Sequence, residues 1–479
     1  MVRDIAADAV AAAIAATASK RPGRPSEGQQ PPGQAKPLKA ARAAAQRRAA
    51  STPVQRAARS SLAQTGAAVA ASPPSTPPSE VCSLAPRSPE ERQAAEEKRA
   101  AFIKRLGNTP PMDPKNDPRA FHGRILSEEL APPSISWAST KKPREGSESW
   151  LTATEYEDQP FVLAQKVRRL ASLLRVSHRT VAYTGAGLSV AAGIAMAAAG
   201  SAGQQKRLGK DAQPTLSHYV MASLNKAQLL HGWVQQNHDG LPQKAGYRQE
   251  DINEIHGSWF DPSNPVVKYS GTLRHDLCEN MEEQGHSADL CLVVGTSLTG
   301  LNADQVATGT AERSLMGRAL GTVIISPQRT AQDGHCSLRI FAKADDVMRA
   351  LAQELSLGAT ALGRTTRGRG AAAASMSCRV CVPYDSDGLR SSTEQTYWDL
   401  SVGQKVRLGD HHNCNGARQE NSKKLTSKHI GEVVSCDDDG IRLRIGGANM
   451  LLGHWWLAAA ARGGPERLPV VNARAHATP

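Results

Sequence analysis

The sequence predicts an α/β fold: a parallel sheet covered by helices, preceded by a long basic tail and followed by a small β-barrel. Three observations carry this reading. From about Thr154 to Leu357, short apolar runs alternate with amphipathic stretches at helical spacing, as in strand–helix units of a parallel sheet. Val181-Ala182-Tyr183-Thr184 runs directly into Gly185-Ala186-Gly187, a strand delivered into a glycine turn. From Cys378 on, the composition changes to short alternating segments separated by turns.

Residues 1–150 read as disordered tail and linker. Ala, Pro, Ser, Gln and Arg dominate to about residue 120, with too little apolar surface to offset the entropy of ordering. Residues 1–60 hold eleven Lys/Arg against three Asp/Glu, so eight of the thirteen excess positive charges lie there. Such an arm either attracts polyanions, nucleic acid or acidic protein surfaces among them, or is simply a solvated tail. No aromatic residue is interleaved with its basic ones, so it offers no platform for base stacking. Within this stretch Pro89 to Leu106 reads as a solvated charged helix, acidic early and basic late, which suits the helix dipole.

The main domain is expected over residues 151–357. Phe161, Val162, Ala164, Val167, Leu170, Leu173 and Leu174 recur at the spacing of one helix face. Thr180–Tyr183 is the first strand, Val293-Val294 and Val323–Ser326 belong to later ones, and the last helix lies near Asp345–Leu355. Residues 358–377 read as linker, 378–460 as the small barrel, and 461–479 as a second tail. The barrel's strand signals are 402–408, 431–434 and 441–445, with an Asp-Gly turn before the last, and Trp455-Trp456 reads as barrel core.

Eight cysteines scattered over 479 residues form no disulfide framework and suit a reducing compartment. No apolar run approaches the roughly 18 residues of a membrane span. The Ala-rich start carries Asp4 and Asp8, against a mitochondrial presequence. Nuclear or cytoplasmic residence is expected.

Ligands of parallel sheets bind beyond the carboxyl ends of the strands. Four segments suit such positions: Gly185-Ala186-Gly187, Gln236-Asn237-His238-Asp239-Gly240, His256-Gly257 and Gly295-Thr296-Ser297-Leu298. A glycine turn at a helix start bares N–H groups able to hold a pyrophosphate. Asn and Asp before Gly240 equally suit a purely structural turn. Together and in this order the segments resemble the sirtuin family, the NAD-dependent protein deacylases, over roughly residues 155–357. Pro214–His218 and Ala288-Asp289-Leu290 are similar to the family's connecting text.

The resemblance implies a Rossmann-like sheet with a reduced small domain, NAD as cofactor and an acylated protein lysine as substrate. It implies that an acyl-lysine oxygen attacks C1′ of the nicotinamide ribose, nicotinamide leaves, an alkylamidate forms, and the ribose 2′-hydroxyl takes over the acyl group. His256 stands where the family's catalytic His-Gly lies, and an imidazole titrating near neutrality suits a base beside ribose hydroxyls. Asn237 and Asp239 join it as catalytic residues. Gly185, Ala186, Gly187, Gln236, Asn237, Asp239, Gly295, Thr296, Ser297 and Ser326 are the implied cofactor contacts. Asn302 is a further candidate for the adenosine ribose, and His238 occupies a variable position. The C-terminal segment is similar to the SH3-like repeat of the Mind bomb ubiquitin ligases, which implies a protein or peptide partner.

Two departures from the family matter. Its usual Gly-Ile-Pro-Asp-Phe-Arg is here Gly193-Ile194-Ala195-Met196-Ala197, so an acid, an aromatic ring and a guanidinium are gone; Lys206 or Arg207 are candidate replacements. Its two Cys-x-x-Cys pairs are also missing, since Cys278 and Cys291 alone lie between His256 and Gly295. A closed structural zinc site needs four ligands, so no metal is expected in the main domain. Cys378 and Cys381 with His411, His412 and Cys414 form a looser zinc candidate. The competing readings are a non-catalytic NAD or ADP-ribose binding module and an ADP-ribosyltransferase working at the same C1′.

Overall fold

The structure, a computed structural model, describes residues 88–126, 130–143, 147–194, 212–268, 271–299, 302–358, 378–409, 430–438 and 440–473. The α/β portion runs α1 (Pro89–Asn108), β1 (Ser134–Trp137), β2 (Glu155–Glu157), α2 (Pro160–Val176), β3 (Thr180–Thr184), α3 (Leu216–Lys226), β4 (Gly232–Gln235), α4 (Leu241–Lys244), β5 (Ile252–Glu254), α5 (His275–Ser287), β6 (Leu290–Val294), α6 (Gln305–Leu315), β7 (Gly321–Ile325), β8 (Leu338–Ile340) and α7 (Ala344–Glu354).

Strands β3 to β8 form one sheet in the order β5-β4-β3-β6-β7-β8, with every neighbouring pair parallel. The central strands are apolar almost throughout because both faces are covered. Ala182, Leu292, Val294, Val323 and Ile325 point to one side, where they meet α2, α3 and α7. Val181, Tyr183, Cys291, Val293 and Ile324 point to the other, against Met281 of α5 and Val306 and Ala307 of α6. This is the strand period of two read out as two helical layers. The expected amphipathic helix is α2, with Val167, Leu170, Leu173 and Leu174 buried and Phe161 exposed at its start.

The expected tail and linker over 1–150 is corrected from Ser88 onward; residues 1–87 lie outside the described residues. Ser88 and Glu91 open α1 with a reciprocal capping box. Phe102 and Leu106, one turn apart on an otherwise charged helix, bury in the main core. Three large apolar residues, Phe102, Ile103 and Leu106, confined to the end of a helix rich in charge and alanine leave almost no periodic signal, which is why the helix reads as solvated. The segment after it covers the sheet edge: Arg124 and Ile125 donate their N–H groups to Cys336 and Ser337, and Arg339 of β8 donates to His122. The Arg124 guanidinium is buried and satisfied by the carbonyls of Leu106 and Thr109 and by Ser314 Oγ. An edge strand left bare would invite pairing with another chain.

Two buried ion pairs fix the same edge. Lys166 and Asp158 meet at 2.6 Å with both side chains fully buried, and Arg339 and Asp333 meet at 2.7 Å. Burial pushes the Lys166 ammonium down to about 8, against the opposing pull of Asp158. Asp158 also accepts the Phe341 N–H at 2.8 Å, and Asp333 accepts from Thr330. Such pairs hold geometry more than they add stability, because desolvating both charges offsets much of their attraction.

The C-terminal portion holds β9 (Arg379–Val382), β10 (Thr396–Asp399), β11 (Lys405–Leu408), β12 (Ile430–Asp437), β13 (Gly440–Ile445), β14 (Ala448–Leu452), α8 (Trp455–Ala461) and β15 (Val470–Asn472). Strands β9 and β10 pair as a two-stranded antiparallel sheet. A five-stranded antiparallel sheet follows in the order β14-β13-β12-β11-β15. The three strands read from alternation are β11, β12 and β13. The expected second tail over 461–479 is corrected, because β15 pairs with β11 and buries Val470 and Val471. A three-residue strand behind a proline gives no alternation to read. Of the tryptophans, Trp456 is buried in this portion's own core, and Trp455, partly buried, packs against that core and also reaches Gln249 of the α/β portion. Residues 359–377 of the expected linker, residues 474–479, and Lys206 and Arg207 lie outside the described residues.

Candidate functional site

Three strand ends and the turns after them meet at the middle of the parallel sheet. The turn Gly185-Ala186-Gly187 leaves β3 and winds at once into a short 3-10 helix, Ala186–Ala192. The loop Gly295–Leu298 leaves the neighbouring β6. The two cross in direct backbone contact: Gly187 donates to the Gly295 carbonyl at 2.8 Å, and Gly185 to that of Val294 at 3.2 Å. The expectation that the glycine turn bares its N–H groups is therefore corrected for Gly185 and Gly187, which spend theirs on the adjoining loop. Glycine is required for a different reason: a Cβ on Gly187 would lie 2.6 Å from Gly295 Cα, and one on Gly295, at φ +64°, would lie 2.4 Å from Leu188 N. Leu298 closes the loop in the left-handed region, at φ +49°, a conformation costing a non-glycine residue roughly 1–2 kcal/mol. Thr296 is buried and Ser297 exposed.

Gln236 to Gly240 follow β4. Asn237 Nδ2 donates to the Gly185 carbonyl and to Ser189 Oγ, each at 3.1 Å. Ser189 Oγ donates in turn to Asp239 Oδ2 at 2.6 Å, and Asp239 Oδ1 accepts the Leu241 N–H. Asp239 is wholly buried, and burial raises its carboxyl above the usual range against these hydrogen bonds. Gln236 Nε2 donates to Tyr183 Oη and, at 3.2 Å, to Thr296 Oγ1. Its amide thus ties the β4 turn to the β6 loop.

His256 lies just beyond β5, half-buried, and its main-chain carbonyl accepts the Val267 N–H at 2.9 Å. Burial and the neighbouring His238 hold its imidazole below the usual histidine range, while the Gln236 carbonyl and the Asp304 carboxylate pull it up. His238 Nδ1 lies 2.9 Å from the Gly257 carbonyl. That oxygen can only accept, so Nδ1 carries the proton and Nε2 remains an acceptor. Four of the expected segments therefore meet: Gly185 touches Asn237, Gly187 touches Gly295, Gln236 touches Thr296, and Gly257 touches His238. Ser326 lies one strand further on; its N–H donates to Ile340 and its Oγ accepts from Gln328 within its own turn. Asn302 is exposed at the start of a 3-10 turn, Asn302–Asp304.

Sequence reasoning passed over three polar residues here. Tyr183, fully buried, donates to Asp304 Oδ1 at 2.8 Å while accepting from Gln236. Ser189 bridges Asn237 and Asp239. Asp304 is buried and acts on His256 electrostatically. A polar ring facing inward from an apolar strand is the one signal that could have marked Tyr183. Beneath β5, three wholly buried carboxyls gather: Asp239, Glu254 and Asp261. Burial, reinforced by Asp261, pushes Glu254 up to about 8.

Among the described residues, no three His, Cys, Asp or Glu side chains are arranged to hold a metal. Of the C-terminal zinc candidates, Cys378 Sγ lies 3.1 Å from Cys436 Sγ, and Cys381 Sγ lies 3.5 Å from Gln395 Oε1. His411, His412 and Cys414 lie outside the described residues. No helix among the described residues is long and apolar enough to cross a membrane.

Comparison with known proteins meets this geometry. Residues 199–269, which include the Gln236–Gly240 turn and His256, match the Sir2 family model. The chain is 29% identical over 293 residues to the NAD-dependent protein deacetylase sirtuin-7 of Rattus norvegicus, covering 50% of this chain and 71% of that protein. It is 24% identical over 250 residues to the NAD-dependent protein deacetylase SRT1 of Arabidopsis thaliana, covering 42% and 52%. A solved structure described as "Structural Basis for the Mechanism and Regulation of Sir2 Enzymes" aligns with 22% identity and a TM-score of 0.36, covering 40% of this chain and 98% of that one. The likeness to sirtuins read from the motifs is thus found independently in the sequence comparisons.

Proposed function

We propose that this chain is an NAD-dependent protein-lysine deacylase of the sirtuin type, with His256 as the base. The observation that carries the reading is the convergence of Asn237 and Asp239 on the crossing of two glycine loops at the carboxyl ends of β3 and β6, with the His256-Gly257 segment tied to the same turn through His238 and the Gly257 carbonyl. A purely structural turn has no need of a half-buried imidazole held beside it. The donor set suits a dinucleotide: hydroxyls of Thr296 and Ser297, the amides of Asn237 and Gln236, and backbone tight enough to admit only glycine. When bound, NAD supplies an electrophilic ribose carbon and nicotinamide as leaving group.

The chain's own residues then have the following tasks. His256, held low by burial, is neutral near physiological pH and can take a proton from a ribose hydroxyl. Asn237, anchored on Gly185 and Ser189, and Asp239, anchored on Ser189, position the ribose and carboxamide end of the cofactor. Gly185, Ala186, Gly187, Gly295, Thr296, Ser297 and Ser326 line the rest of its course. The family's zinc ribbon is absent in this reading, since Cys278 and Cys291 are the interval's two cysteines and Cys291 is a buried residue of β6.

Peptide-dependent release of nicotinamide from NAD tests the proposal. The expected result is release by the wild-type chain with an acetyl-lysine peptide, reduced at least about 100-fold in His256→Ala. NAD binding without release would favour the non-catalytic binding module, a reading supported by the missing Asp-Phe-Arg text after Ile194. A peptide gaining the mass of ADP-ribose would favour the transferase. The finer readings stand beside this one: an SH3-like barrel at 378–460 that takes a protein or peptide partner, a basic arm that contacts polyanions, and nuclear or cytoplasmic residence.

A further inference from the structure

The C-terminal portion lies outside the Sir2 family match, yet it seats on the segment that follows His256. Trp455, at the start of α8, donates its Nε1–H to Gln249 Oε1 at 2.8 Å, and its ring lies 5.2 Å from that of Phe260. Gly453 N–H donates to the Phe260 carbonyl at 3.1 Å. A second contact lies alongside: Arg462 reaches Glu250 at 3.3 Å, and Gly464 approaches so closely that a Cβ there would lie 2.5 Å from the Glu250 carboxyl. The approach is equally tight at the Gln236–Gly240 turn, where a Cβ on Gly240 would meet Phe260 at 2.7 Å and Trp455 at 3.0 Å.

Phe260 is fully buried, with Lys244 Nζ 4.7 Å from its ring centre on another side. Between His256 and Phe260 the chain is held by Gly257 N–H to Glu254, Ser258 N–H to Asn264, Trp259 N–H to the His238 carbonyl, Phe260 N–H to Ser258 Oγ, His238 Nδ1–H to the Gly257 carbonyl and Val267 N–H to the His256 carbonyl. The stretch contains no regular element. Its fixed points are β5 at one end, His238 in its middle and the Phe260 seat at the other end, and Trp455 forms a wall of that seat.

We propose that the C-terminal β-portion is an intramolecular clamp on the candidate site, with Trp455 as a positioning residue that holds the His256–Phe260 segment in register with the Gln236–Gly240 turn. This rests on the deacylase reading only for its effect on turnover; the effect on the segment itself is independent of it. Positional errors of about 1 Å remote from the chemistry can cost roughly 100-fold in rate, so a loosened segment lowers kcat more than it alters cofactor binding.

The test uses the full chain with Trp455→Ala, Trp455→Phe and Gln249→Ala, read by amide hydrogen exchange and by nicotinamide release. In Trp455→Ala we expect loss of exchange protection across residues 256–267 and a fall in kcat of at least about tenfold, with little change in KM for NAD. Trp455→Phe, which keeps an aromatic wall, restores most of both. Unchanged protection over 256–267 overturns the proposal, and so does lost protection with wild-type kcat. If β11–β13 also lose protection in Trp455→Ala, the portion itself has unfolded and Gln249→Ala, made on the opposite side of the contact, decides by the same criteria. A wild-type chain that releases no nicotinamide defeats the deacylase reading, and exchange alone then upholds or overturns the clamp.

Discussion

His256 carries the proposed chemistry, and its protonation is set by three opposing neighbours as well as by burial. His238 on the β4 turn pushes its pKa down; the Gln236 carbonyl and Asp304 pull it up. Asp304 is held by Tyr183, which Gln236 also holds, so one short chain of hydrogen bonds links the carboxylate to the turn on which His256 rests. A base works in its deprotonated form, so activity rises with pH through its pKa. Replacing Asp304 by Asn removes a charge that favours the imidazolium and lowers that pKa. The acidic limb of kcat/KM against pH is expected to move to lower pH in Asp304→Asn, while an unmoved limb would exclude Asp304 from tuning His256. Tyr183 and Asp304 lie 121 residues apart, and a Tyr in a strand and an Asp in a turn are both common, so no local pattern joins them.

At the scale of elements, β5 is the most consequential short strand. Its three residues are all buried, and Glu254 at its end has its carboxyl pushed up to about 8 from an ordinary 4.5. An acid whose folded pKa is raised binds its proton more tightly in the folded chain. Its favourable contribution is complete below pH 4.5 and is lost as pH climbs through about 8. The thermal midpoint of the wild-type chain should therefore fall between about pH 5 and pH 8 more steeply than that of Glu254→Gln, which stays neutral throughout. Parallel curves would show that Glu254 ionises freely in the fold. The helix α1 makes a second claim at this scale. If it belongs to the core, Phe102→Ala should destabilise the chain by about 3 kcal/mol or more, read from urea unfolding; a surface helix would lose well under 1 kcal/mol.

For the molecule as a whole, the question is what holds the long irregular stretch after His256 in place. The stretch from Ile255 to Arg274 contains no cysteine, and it is fastened by Asp261, Asn264 and Arg274 through hydrogen bonds and by the Phe260 seat against the C-terminal portion. A chelator should accordingly leave the thermal midpoint unchanged in metal-free buffer. A fall of several degrees would instead point to a bound metal contributing folding energy. The clamp and the edge cover formed by residues 122–125 share one logic, in that segments remote in sequence fix the parallel sheet where it is least protected: at its β8 edge and at the turn beside β5.

The sequence alone determined the parallel sheet and the order of the turns after its strands, because strand alternation and glycine turns are local patterns legible within a few residues; His256, Asn237 and Asp239 came from the resemblance and remain proposals. It also determined that glycine was needed at 185, 187 and 295, though it assigned the wrong cause, a bared set of N–H groups in place of two backbones in contact. Only the tertiary structure decided that α1 and residues 122–125 join the domain, that β15 completes the C-terminal sheet, and that Trp455, besides packing on its own core, reaches Phe260 and Gln249. Each of these rests on one or two side chains meeting partners more than a hundred residues away, or on a strand of three residues, and a contact of that kind leaves no period in the chain from which to read it.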